Sequence, residues 1–146
     1  MTTKHPGRLT GFTLIELMIT VAIMALLVSL AYPSYTEHLN RGKRSAAQSF
    51  MVTLASKQEQ QMLNTRCYFS YPTDATCTPP TITVPGEVSG NYTLTITADS
   101  TAAPPAYTIT AAPTTAFNDT KCGTLTYTNT GVKGATGSSG ASGCWR

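Results

Sequence analysis

At 146 residues the chain is long enough for one domain and not comfortably for two. Charged residues make up 12%, about half the usual share, and the formal net charge is +3. This argues against a dense basic stripe for nucleic-acid reading and equally against an acidic solvating tail. The two histidines, His5 and His38, exclude a multi-histidine metal centre. A histidine-based catalytic centre would have to use His38 alone, so the composition disfavours an enzyme, and no metal or cofactor is expected.

The first segment, MTTKHPGRLTG, carries Lys4 and Arg8 and no acid. Residues 12–32, FTLIELMITVAIMALLVSLAY, then form a nearly continuous apolar run with one charge, Glu16. About 20 helical residues cross a bilayer core of about 30 Å, so the run is long enough to span. The basic leader keeps the N-terminus on the cytoplasmic side and exports everything beyond about residue 34. An ordinary signal peptide, cut after Ser29-Leu30-Ala31, is the competing reading. Glu16 argues against it. A carboxylate in a lipid-facing helix costs up to about 3 kcal/mol, less near the interface, and marks a partner cation that this chain does not carry nearby.

Gly11-Phe12-Thr13-Leu14-Ile15-Glu16-Leu17 after a short basic leader resembles the class III signal of type IV prepilins and related pseudopilins. The resemblance implies cutting between Gly11 and Phe12 by a prepilin peptidase and methylation of the new Phe12 amine. That positive amine would sit at a helix N-terminus, where the macrodipole disfavours it. Glu16 lies one turn along the same face and can neutralise it, or, as the family implies, neutralise that of a neighbouring subunit. Such a buried pair adds little net stability but sets register between subunits.

Beyond Tyr32 the pattern becomes amphipathic. Leu39, Ala46, Ala47, Phe50, Met51, Leu54 and Met62 recur at three- and four-residue spacings, which predicts one helix from Phe12 to about Leu63 with a single buried stripe. Pro33 removes an amide and should kink the helix near the Ser29 carbonyl. Gly42 is a second weak point, costing roughly 1 kcal/mol relative to Ala. The resemblance implies that residues 33–42 can loosen in a filament. Arg41, Lys43 and Arg44 read as a solvated helix face, and His38 beside Glu37 as surface polar.

Cys67, Cys77, Cys122 and Cys144 all fall in the last 80 residues, without C-x-x-C or zinc spacing, and read as two disulfides in an oxidising compartment. Three connectivities are open. Cys67–Cys77 with Cys122–Cys144 is the expected one, because each closes a short local loop, for roughly 3 kcal/mol apiece. From Arg66 the period becomes two. Tyr92, Leu94 and Ile96 alternate with threonines, as do Tyr107, Ile109 and Ala111, and Leu125 and Tyr127, which predicts three half-buried strands with Thr on the wet face. Residues 102–105 and 117–120 read as turns. The segment before the strands reads as irregular, and the tail GVKGATGSSGASGCWR as floppy but for Cys144. Trp145 reads as a packing lid rather than a recognition anchor. Asp74, Glu87, Asp99 and Asp119 read as isolated carboxylates, and two Asn-x-Thr sequons, at Asn91 and Asn118, match a glycosylation signal by chance as easily as by design.

The expected fold class is therefore α+β: a leader (1–11), a membrane and polymerisation helix (12–32), its amphipathic continuation (33–65), and an antiparallel β-meander packed on that continuation (66–146), ending in a disulfide-bounded loop. The C-terminal CysGlyThrLeuThr and CysTrp phrases are similar to those of PilE-type minor pilins. The family implies a type IV pilus subunit, anchored in the inner membrane before assembly and extracellular in the filament, supporting adhesion and twitching motility. Its partners would be other pilin subunits, the prepilin peptidase and the inner-membrane assembly machinery. A major pilin or a type II secretion pseudopilin is the rival within the class, and a pilus-tip module for a surface receptor or DNA is the rival outside it. From Arg66 onward four bases face four acids, which argues against electrostatic DNA capture by that region alone.

Overall fold

The computed structural model describes residues 11–145. Contacts divide the chain into two units, meeting between His38 and Leu39, with helix α1 (Leu14–Thr65) running from one into the other. The helix continues through Pro33 and Gly42. In the first unit the apolar residues from Phe12 to Leu30 are exposed, as suits a helix long and apolar enough to cross a membrane.

The second unit is built on the C-terminal half of α1. The buried stripe is Arg44, Ala47, Met51, Leu54, Ala55 and Gln58, at the spacings that place residues on one helix face. This corrects the expected stripe: Leu39 is 45% exposed, and Ala46, Phe50 and Met62 only flank the core. The helix ends at Thr65. Arg66 takes the left-handed conformation (φ 61°), and its N–H donates to the Met62 carbonyl at 3.0 Å, the αL form of helix termination. Glycine usually fills that position, so the sequence gives little warning of it there.

Between helix and sheet, the Cys67–Cys77 disulfide and a short helix α2 (Gly86–Ser89) organise the Pro-rich segment. Gln58, fully buried, pairs with this segment as a strand would. It accepts from the Phe69 N–H at 3.1 Å and donates to the Phe69 carbonyl at 2.6 Å. The sheet has four antiparallel strands in chain order: β1 (Tyr92–Asp99), β2 (Ala106–Pro113), β3 (Leu125–Thr128) and β4 (Lys133–Ala135). Leu94 lies opposite Ala111 and Ile96 opposite Ile109, so the inner face presents one apolar sheet that clusters with Ala47, Met51 and Leu54. On the other face Thr95, Thr110 and Thr126 form one cross-strand row and Thr97, Thr108 and Thr128 another. The free edge of β1 is covered at Ile96 by a two-way backbone bridge to Tyr71.

The tail is not floppy. It contributes β4 and a short helix α3 (Gly140–Cys144), and the second disulfide joins Cys122 to Cys144. Gly137 lies so close to the backbone of Lys121 and Cys122 that no side chain fits there, and its N–H donates to the Cys122 carbonyl at 2.9 Å. Backbone packing, rather than composition, orders this Gly/Ser-rich stretch.

Candidate functional site

Two places concentrate the residues singled out by the sequence. At the N-terminal end, Gly11, Phe12 and Thr13 lie outside the helix and are exposed. Thr13 is the helix cap: its hydroxyl accepts the Glu16 N–H at 3.3 Å, satisfying one of the amides a helix start leaves open. Glu16 therefore occupies the third helical position, and its carboxylate has no partner among the described residues. Thr20 and Ser29 instead donate to the carbonyls of Leu17 and Leu26 at 2.8 and 2.7 Å, spending their polarity inside the helix. Lys4, His5 and Arg8 of the leader lie outside the described residues. Pro33 and Gly42 both lie within α1, and a Cβ at Gly42 would meet open space, so packing does not require glycine there.

The second place is where α1 meets the Cys122–Cys144 loop. Arg44, read from sequence as solvated, is buried and holds Asp119 in a two-pronged pair, Nε to Oδ2 at 2.6 Å and Nη2 to Oδ1 at 2.7 Å, with side chains 8% and 1% exposed. The Tyr92 hydroxyl and the Cys122 N–H donate to the same carboxylate at 3.1 and 3.2 Å. Asp119 is thus the opposite of isolated. Burial alone would raise its pKa, but the Arg44 guanidinium, the Cys122 amide and the Tyr92 hydroxyl hold it below the ordinary carboxylate value. Burial first, then the Asp119 charge, pushes the Tyr92 phenol well above its usual value. One turn along the helix, Gln48 donates to the Cys144 carbonyl at 2.8 Å, while Lys43 stands over the Phe117 ring at 4.6 Å. One helix turn thereby grips both ends of the disulfide loop.

Trp145 is the lid expected of it. It is buried, donates through Nε1 to the Gly134 carbonyl at 2.8 Å and packs beside Tyr127, with Lys133 over its ring. A depression of about 590 Å³ beside the loop is lined by residues that include Thr114, Thr115, Asn118, Thr120, Thr124 and Thr136. Asp74 and Asp99 are also occupied. Asp74 accepts from the amides of Ser70, Thr76 and Cys77, and Asp99 from those of Thr101 and Ala102. Partial burial would raise the Asp74 pKa, but the amides of Cys77, Ser70 and Thr76 outweigh it and hold the carboxyl well below the usual range. Among the described residues no group of three His, Cys, Asp or Glu side chains could hold a metal ion.

Comparison with known proteins identifies the family. A family profile described as "Type IV minor pilin ComP, DNA uptake sequence receptor" matches residues 33–126, and one described as "Prokaryotic N-terminal methylation motif" matches residues 10–32. A fimbrial protein of Moraxella nonliquefaciens is 38% identical over 58 residues, which cover 40% of this chain and 38% of that protein, so the match spans under two fifths of the relative's length. A solved type IV pilin of Shewanella oneidensis superposes with a TM-score of 0.48 at 24% identity, covering 73% of this chain and 98% of that one. With the first profile spanning well over half of the chain, this protein belongs to the type IV minor pilin ComP family.

Proposed function

We propose that this minor pilin is made as a precursor, cut between Gly11 and Phe12 by a prepilin peptidase, methylated at Phe12, and held by residues 12–32 in the inner membrane until assembly machinery moves it into a filament. The observation that carries this reading is Glu16, a carboxylate without a partner among the described residues, four residues beyond an exposed, non-helical Gly11-Phe12 bond. In the filament it pairs with the N-terminal amine of a neighbouring subunit, and residues 33–42 are where the helix loosens. N-terminal mass spectrometry of the protein recovered from cells tests the first step. A chain starting at methylated Phe12 is expected, and one starting at Tyr32 would make the apolar segment a discarded signal peptide.

A second reading comes from the family description, which names a DNA uptake sequence receptor. Carried to this chain, it makes the globular unit a DNA-binding module. Charge constrains how. Of Arg41, Lys43, Arg44, Lys57, Arg66, Lys121 and Lys133, Arg44 is already committed to Asp119, so few phosphates can be neutralised together. Binding to duplex DNA is expected to show a shallow salt dependence and to rely on base contacts for its strength. A titration of full-length protein against specific and scrambled duplexes at several salt concentrations decides it. Equal, steeply salt-dependent binding to both, or none, would count against this reading.

A further inference from the structure

Between residues 12 and 32 only two side chains carry a polar group with no partner among the described residues: Glu16 near one end and Tyr32 at the other. Tyr32 is 67% exposed, and Tyr35, one turn further and on a neighbouring position of the same face, is 62% exposed. A tyrosine with an apolar ring and a free hydroxyl settles where hydrocarbon meets headgroups. From Leu14, where the helix starts, to Tyr32 is 18 residues, about 27 Å of helix, and with the non-helical Phe12 and Thr13 ahead of it the segment matches the hydrocarbon thickness of about 30 Å of a typical bilayer. With Tyr32 at the outer interface, Phe12 stands at the inner one, and the non-helical Gly11-Phe12 bond lies just on its watery side.

The two ends pull against each other. Glu16 sits about 6 Å inside the inner boundary, and its desolvation favours sliding the helix toward the cytoplasm. Sliding that way drags the two tyrosine hydroxyls into hydrocarbon. We infer that Tyr32 and Tyr35 anchor the unassembled chain in the phospholipid headgroup layer of the exported face and so hold the Gly11-Phe12 bond at the opposite interface. The inference rests on the proposed cutting at that bond. Without the tyrosines, the balance fails in one direction only, toward the cytoplasm.

The full-length chain tests this in membranes of cells that lack the filament assembly machinery but keep the peptidase. The described cysteines are all in disulfides, so Ser34→Cys adds a single free thiol to them for a membrane-impermeant maleimide. Tyr32→Leu with Tyr35→Leu should label several-fold more slowly at position 34 and be processed several-fold more slowly. Tyr32→Trp with Tyr35→Trp, which keeps the amphipathic ring, should match the parent in both. Parent-like labelling and processing of the leucine pair overturns the anchor, even where that variant fails to enter filaments, since the tyrosines would then be subunit contacts. If the parent itself is not cut between Gly11 and Phe12, the processing reading fails, while the labelling comparison still decides the anchor.

Discussion

Replacing Arg44 by alanine should destabilise the globular unit by about 3–5 kcal/mol, because it strands the Asp119 carboxylate in the interior without its cation. For a unit of this size that corresponds to a fall in melting temperature of more than about 10 °C. Trp145, the single tryptophan, is buried beside the loop this pair secures, so its fluorescence in the full-length protein reports the loss. The pH dependence separates this account from general damage. In the parent, Asp119 has a folded pKa below its unfolded value of about 4, so its contribution is complete at neutral pH and fades as the pH falls through the folded value. In Arg44→Ala the sign reverses: an unpaired buried carboxyl gains from protonation, and acidification from neutral should recover stability. Arg44→Met combined with Asp119→Leu should restore roughly half of the loss, since no charge remains buried, while the Tyr92 hydroxyl and Cys122 amide still lack their acceptor. A variant that melts like the parent, or loses stability on acidification as the parent does, would show that the pair does not secure the loop.

Glu16→Ala should abolish or strongly reduce incorporation into filaments while leaving membrane insertion and cutting intact. Insertion should if anything improve, because the substitution removes an ionised group costing up to about 3 kcal/mol in lipid. Glu16→Gln should behave likewise, since it keeps the size and hydrogen bonding of the side chain and removes only the charge. The quantity to measure is the variant's share of sheared surface filaments against its level in the membrane fraction. Recovery of Glu16→Ala in filaments at the parent ratio would refute the pairing.

The elements that sequence made legible are those with a strong period or a short motif. Leu94-Thr95-Ile96-Thr97 alternates so regularly that only a half-buried strand accommodates it, and the observed register puts those threonines in cross-strand rows. The apolar run and the Gly11-Phe12-Glu16 spacing were equally plain, because hydrophobic length and one misplaced charge are local properties. The disulfides apart, what escaped were side-chain interactions whose partner lies far along the chain. Arg44 and Asp119 are 75 residues apart, and nothing near either one distinguishes them from the solvated Arg41 or from an ordinary turn aspartate. Gln58, a helix former on what reads as a polar stretch, turned out to bridge the core to Phe69. The order of the Gly/Ser tail rests on Gly137 lying against the Cys122 backbone, and Gly-rich composition points the other way.

Sequence alone thus determined the membrane-directed segment, its lone carboxylate, the helix-then-strands order and the threonine face, since each depends on neighbours within a few residues. Tertiary structure alone decided which basic residue is buried, which aspartate answers it, and how residues 122–145 are held, because the burial of a charge is settled by the geometry that brings distant groups together.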